Sequence, residues 1–343
     1  MPLVTSKELL LRAQQEGYAV GAFNANNMEC VKAVIEAAEE EKAPVILQVS
    51  QGAIKYAGLE MAAAMVRTAA ERSPVPVVLH LDHGTSFDQN VKCLLAGFTS
   101  LMFDGSAEPL DRNIEISSRI AAIGRLAGVP LECELGKIPK VEDYFTQDEI
   151  ATLQKNPNIA EVVDIVRQKA GAKTESLMAD PAQAEEFVTR TGTDALAGAM
   201  GSIHGMWDDI WPIRVDRVKA LKEATNVPLV LHGSSGVIRT RADAAARGIV
   251  LKENEGTLED AVKAGVAKVN VATAVNMAFL RACRAAFDAR PDERDVRKIL
   301  LPGLEEAKAL VKSYMRLLGS SGRACIDGSG KMSEKAIAVH GEE

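Results

Sequence analysis

Three of the five histidines in this 343-residue chain stand where an apolar stretch gives way to glycine. His83 ends the run that begins at Val77 and precedes Gly84; His204 lies between Gly201 and Gly205, beyond Ala195 to Met200; His232 closes the run from Val227 and precedes Gly233. One histidine in such a place is ordinarily structural. Three neutral imidazoles brought together make a catalytic zinc site, because zinc takes nitrogen ligands tetrahedrally and keeps a vacancy for substrate. His80 is assigned either to the layer behind the ligands or to the interior of the fold, and His340 lies in the C-terminal tail; neither is taken as a ligand.

Carboxylates and glycine turns complete the chemical inventory. Asp82 adjoins His83, Glu132 and Glu134 alternate along one apolar run, and Glu142 and Asp143 open a long linker. A metal that polarises a carbonyl makes its α-proton acidic, so a mobile carboxylate suits the base and a fixed one beside the metal the acid. Gly233, Ser234, Ser235 and Gly236, with Asn270 to Thr273, supply backbone N–H groups and hydroxyls at helix N-termini. Such positions hold phosphate. A phosphorylated small molecule is the expected substrate.

These residues can act together only if the elements carrying them end at one rim. Apolar runs near 18 to 23, 44 to 49, 76 to 81, 99 to 103, 129 to 135, 194 to 200, 227 to 232 and 266 to 271 read as eight strands. Amphipathic stretches between them include Glu29 to Lys42, Leu59 to Glu71, Phe87 to Leu95, Leu110 to Leu126, Ala182 to Arg190 and Val215 to Ala224. Eight βα units predict an α/β fold, a single-domain (β/α)8 TIM barrel whose strand ends share one mouth. A doubly wound open sheet is the alternative, but no G-x-G-x-x-G follows the first strand. Thr5 and Glu8 predict a capping box for an N-terminal helix that Gly17 ends. A helical extension from about Met277 to Leu318 is expected to break at Arg290 to Asp292, so the domain is set at 1–318. The Gly- and Ser-rich tail, 319–343, is expected to be mobile and dispensable for folding.

Composition excludes other classes. A net charge of −7 with scattered basic residues argues against nucleic acid and membrane surfaces as partners, and no apolar run approaches the ~18 residues of a membrane span. The five widely spaced cysteines form no C-x-x-C pair, which fits a reducing cytoplasm and speaks against a thiolate metal site.

The segments GAFNANN (21–27), APVILQVS (43–50), HLDHG (80–84), GFTSLMFDGS (97–106), LECELG (131–136), the His204-Gly205 pair, LHGSSGV (231–237) and KVNVAT (268–273) run in the order found in a known family. In them the chain resembles the class II, metal-dependent fructose-bisphosphate and tagatose-bisphosphate aldolases. The resemblance implies that His83, His204 and His232 bind catalytic zinc, with Glu134 as an alternative ligand. Asp82 would donate a proton to the aldehyde oxygen, Glu142 would exchange the C3 proton of dihydroxyacetone phosphate, and Asn270 would steady the zinc-stabilised enediolate. Gly205, Gly233, Ser235 and Thr273 would hold phosphate beside a monovalent cation, Na+ or K+, with Asn24 and Ser50 near the substrate. The implied activity is reversible cleavage of fructose 1,6-bisphosphate or a related ketose phosphate in glycolysis and gluconeogenesis, by a homodimer or homotetramer.

The chain departs from the family pattern at three places. Lys137-Ile138-Pro139-Lys140-Val141 replaces a glycine pair before Glu142, Ile203 replaces a serine, and Asp295-Val296-Arg297 replaces the Asp-Pro-Arg whose arginine binds a distal phosphate. Rival readings are a Schiff-base aldolase using Lys268, a zinc hydrolase, for which His80 and His83 are wrongly spaced, and a non-catalytic sugar-phosphate-binding barrel.

Overall fold

Strands rich in Val, Ile, Leu and Ala, buried on both faces, need a covering layer outside and a filled interior inside, which is the environment of a parallel barrel. The computed structural model, which describes residues 3–324, has eight such strands. They are β1 Val20–Asn24, β2 Val45–Ser50, β3 Val77–Asp82, β4 Leu101–Phe103, β5 Leu131–Leu135, β6 Ala195–Gly198, β7 Leu229–Leu231 and β8 Val266–Val271. All pair in parallel in the order β3-β2-β1-β8-β7-β6-β5-β4. The two ends meet through parallel bridges of His80 with Ser100 and Gly84 with Phe103, so the ring closes in chain order. The expected barrel is present, and the open-sheet alternative is excluded by that seam.

Inward-facing residues change character along the axis. Toward the N-terminal end, Val20, Ile46, Val78, Ala195 and Val230 form an apolar floor with Leu10 and Ala13 of the helix Ser6–Glu16, which plugs that end. Gly17 ends this helix at φ +72°, as expected, but the Thr5 side chain makes no capping bond. Nearer the other end the inward positions become His80, Glu132 and Lys268, then Asp82, Glu134, His232 and Asn270, all buried.

The six predicted helices lie within a residue or so of their expected limits. The long linker between β5 and β6 folds into a 3-10 turn, Val141–Asp143, and the helices Gln147–Gln154, Ile159–Ser176 and Pro181–Thr191. Val141, Phe145, Val162 and Val166 share an apolar cluster with Ile203, Met206 and Trp211 of the loop after β6, so the insertion is built onto the rim. The extension forms two helices, Thr273–Ala289 and Val296–Leu317, with the expected break between them.

The boundary set at Gly319 is corrected for its first residues. Ser320 and Ala324 are buried, and Gly322 and Ala324 donate backbone bonds to Glu41 and Lys42 at 2.8 and 2.9 Å. Hydroxyls and backbone there find partners on the helix Met28–Glu41, which composition alone does not reveal. The remainder of the predicted tail, with Cys325 and His340, lies outside the described residues. Among the described residues no helix is long and apolar enough to cross a membrane, and the four cysteines are unpaired.

Candidate active site

β3 delivers Asp82 at its last position, and the chain turns at His83 with φ +50°, a left-handed conformation costly for a residue with a Cβ. Gly84 follows because a Cβ there would sit 2.6 Å from the Met102 carbonyl oxygen. His204 is held through its backbone: its N–H donates to Pro139 and its carbonyl accepts from Val141, both at 2.8 Å. The segment 137–141 and the His204 loop are thereby laced together. His232 follows β7, and Gly233 at φ +64° lets that turn pass the Ile203–His204 backbone, which a Cβ would approach to 3.2 Å.

The three imidazoles converge. Their ring centroids are 4.7 to 6.1 Å apart, and one ligand atom from each lies within 4.8 Å of the others. Two rings are oriented from behind by carboxylates, His83 Nδ1 by Asp104 at 2.9 Å and His232 Nε2 by Glu132 at 2.9 Å. That leaves His83 Nε2 and His232 Nδ1, 3.1 Å apart, facing inward. His204 Nε2 is buried without a hydrogen-bond partner, as is Glu134 Oε2. Buried polar atoms are ordinarily satisfied, so these orphaned donor atoms beside two oriented imidazoles fit a divalent cation. His83, Asp104 and Glu134 form a second overlapping group of the same kind.

The charge balance points the same way. Burial disfavours a proton on His83, but Asp82, Asp104 and Glu134 outweigh it and push the ring up to about 10. Burial and the charge on His83 lower His204 to about 4, and the same causes take His232 well below its ordinary value. Burial, reinforced by Asp104, pushes Glu134 up to about 8. Burial opposes ionisation of Asp82, yet His83, His232 and the bond from Asn24 prevail and hold it below the usual carboxylate value. In the metal-free protein, a proton on His83 is therefore the counter-charge for a cage of carboxylates.

Two connected cavities open from this centre. One, of about 260 Å³, is lined by Asp82, the three histidines and all the predicted substrate contacts except Arg297: Asn24, Ser50, Gly205, Gly233, Ser235, Asn270 and Thr273. Thr273 begins a 17-residue helix, and Ser235 Oγ accepts from the Ala272 N–H at 3.3 Å, so backbone donors and hydroxyls collect at one wall. The other, of about 550 Å³, adds Glu134, Glu142, Asp104, Lys137 and Lys140. Glu142 projects over Gly205, where a Cβ would lie 3.5 Å from its Oε2, whereas Asp143 turns back to accept from the Lys140 N–H.

Arg297 lines neither cavity. Its side chain is 87% exposed and bonded to Asp295, the cap of its own helix, so the Asp-Val-Arg sequence does not bring it to the rim of its own chain. Lys268 lines neither cavity; it is fully buried and ion-paired with Glu132 at 2.7 Å, which removes the accessible free amine that a Schiff base requires. Sequence reasoning missed Asp104, Lys137, Lys140 and the pair Asn26–Asn276. Asp104, a carboxylate between a strand and Gly105, carried the same signal as Asp82.

Residues 4–323 match the family model described as fructose-bisphosphate aldolase class-II. The chain belongs to that family. It is 37% identical over 329 residues to the fructose-bisphosphate aldolase of Helicobacter pylori strain ATCC 700392 / 26695, covering 94% of this chain and 99% of that protein. The fructose-bisphosphate aldolase of Thermus caldophilus is 38% identical, with 94% and 100% covered. Among solved structures, the YdjI aldolase from Escherichia coli K12 superposes with a TM-score of 0.70 at 28% identity over 94% of this chain and 99% of that one. Two of the three departures from the family pattern form one structural set, since Ile138, Val141 and Ile203 are all buried where the insertion meets the His204 loop.

Proposed function

We propose that the chain is a zinc-dependent aldolase that reversibly cleaves fructose 1,6-bisphosphate to dihydroxyacetone phosphate and glyceraldehyde 3-phosphate. The observation that carries this is the convergence of His83, His204 and His232 on one cavity wall beside two carboxylates able to move protons, Asp82 and Glu142. His83, His204 and His232 would hold the metal, with Glu134 beside them. When bound, zinc supplies Lewis-acid polarisation of the ketose carbonyl and neighbouring hydroxyl.

The side chains account for the remaining steps. Asp82 is held ionised, so in cleavage it takes the C4 hydroxyl proton as the C3–C4 bond breaks, and in condensation it returns that proton to the aldehyde oxygen. Glu142 delivers a proton to C3 and removes it in the reverse direction. The electron pair of the broken bond is carried on the three-carbon fragment until C3 is protonated, and the Asn270 amide faces that fragment. Gly205, Gly233, Ser235 and Thr273 would receive the phosphate next to C1, with a monovalent cation beside it, while Asn24 and Ser50 line the near wall. The far phosphate meets Lys137 and Lys140 across the larger cavity rather than Arg297. Met277, Leu280 and Phe287, exposed apolar residues on one helix, support a homodimer or homotetramer, and the free thiols support a cytoplasmic setting.

The deciding experiment follows cleavage of fructose and tagatose bisphosphates and ketose 1-phosphates, with and without chelator. Fructose bisphosphate should be preferred, and activity should vanish on chelation and return with zinc. Preference for tagatose bisphosphate would reassign the sugar. Chelator-resistant turnover with a borohydride-trapped lysine would overturn the metal mechanism.

A further inference from the structure

Charged side chains almost never sit fully inside a barrel, yet Lys268 and Glu132 do, at 0% and 3% exposure. They belong to a continuous polar column. Ser6 Oγ of the plug helix contacts Ser100 Oγ at 2.8 Å, and Ser100 Oγ contacts His80 Nδ1 at 2.8 Å. His80 Nε2 lies 3.2 Å from Lys268 Nζ, which donates to Glu132 Oε2 at 2.7 Å. The second oxygen of Glu132 meets His232 Nε2 at 2.9 Å. Every member is buried, and the column runs from the plugged end of the barrel to the imidazole triad.

A buried ion pair contributes little net stability compared with apolar residues of the same volume. Packing alone therefore gives no reason for a lysine and a glutamate here. Each of the two oxygens of Glu132 has a separate partner, so the ammonium fixes where the other oxygen points. That oxygen sets which nitrogen of His232 carries hydrogen and which way its ring faces.

We propose that Lys268 is a positioning residue for the metal centre: it anchors Glu132, which holds His232 with Nδ1 turned to the cavity, while His80 and Ser100 tie the ammonium to the floor of the barrel. Lys268 touches no substrate in this arrangement. The inference rests on the proposed metal site but not on the identity of the sugar.

The test measures zinc affinity by competition with a chromophoric chelator, and melting temperature of the metal-free protein, in the parent, Lys268→Met, Glu132→Gln and the double variant. Partners behind a metal ligand typically contribute about 10- to 100-fold in affinity, so both single variants should bind zinc that much more weakly. The double variant leaves no unpaired charge; it should regain the melting temperature lost in Lys268→Met and yet keep the weakened zinc binding. The visible spectrum of the cobalt-loaded protein should change in the same three variants. Should Lys268→Met not fold, Glu132→Gln and the double variant carry the comparison. Zinc affinity within threefold of the parent in the variants that fold, together with a lowered melting temperature, would make the column purely structural and overturn the proposal. A parent that bound no zinc would overturn both this inference and the metal-dependent reading, whereas an unexpected sugar preference would touch only the latter's substrate.

Discussion

Replacing Asp82 with Asn separates proton transfer from metal binding. Asp82 Oδ2 accepts from Asn24 Nδ2 at 3.0 Å, and Oδ1 lies 3.4 Å from Asn270 Nδ2 and 3.9 Å from His83 Nε2. The amide is isosteric, and it can keep its oxygen toward Asn24 at the expense of the longer contact, a loss of about 1 kcal/mol. Removing a charge ~4 Å from His83 is the larger change, about 4 kcal/mol at an effective dielectric of ~20. That change acts on the proton of the metal-free ring and leaves three imidazoles to bind zinc. Loss of the acid–base group should lower kcat by about 10²- to 10⁴-fold, which is ~3–5 kcal/mol in the barrier. Initial rates of fructose bisphosphate cleavage, with zinc per chain measured on the same samples, give both quantities. A fall in kcat of less than tenfold at full zinc content would refute the assignment, as would a fall that merely followed zinc loss.

His83 is raised in the folded metal-free protein from 6.5 to about 10, so its contribution to stability is complete below about pH 6.5 and lost as pH rises through about 10. Glu134, raised to about 8, acts with the same sign, losing its contribution as pH rises through that value. The chelated protein should therefore melt at progressively lower temperature from pH 6.5 to 10, and the zinc-loaded protein should not; parallel curves would contradict the charge balance. Glu142→Gln should slow tritium exchange at C3 of dihydroxyacetone phosphate by about 10²-fold or more, and undiminished exchange would place the C3 base elsewhere. Lys140→Ala should raise KM for a bisphosphate more than for a ketose 1-phosphate, while Arg297→Ala changes neither; the opposite pattern would restore the arginine. A chain ending at Leu318 should melt several degrees below one ending at Ala324, since it lacks the docked backbone bonds to Glu41 and Lys42, each contributing about 1 kcal/mol. Equal melting temperatures would show those contacts to be inconsequential.

The barrel was readable because its information is local: apolar runs of strand length, amphipathic runs of helix length, and glycines between them. The same periodicity put His83, His204 and His232 at equivalent strand ends, and a closed ring then makes them neighbours. Pairing across the barrel carries no such local trace. Glu132 and Lys268 are 136 residues apart, so the sequence offers a lone lysine on a strand, readable as a nucleophile, where the fold has an ion pair. Arg297 is a different case, since a tripeptide related to a family motif carries chemistry but not its position relative to the cavities of the same chain. Two helices of the insertion, Gln147–Gln154 and Ile159–Ser176, were left unassigned, although Thr146 and Glu149 form a capping box that their spacing announces.

The polar column also constrains the order in which the molecule can be assembled. In chain order Ser6 precedes Glu132, and Glu132 precedes Lys268 by 136 residues, so the column's members leave the ribosome far apart in time. Until β8 closes the ring, the inward carboxylate of Glu132 lacks the ammonium that pairs with it, and a seven-stranded intermediate would have to leave it solvated. Water can leave the interior only when the final strand inserts. Closure of the barrel and completion of the surroundings of His232 thus coincide, and a nascent or truncated chain without β8 lacks the ammonium that fixes Glu132 behind that imidazole.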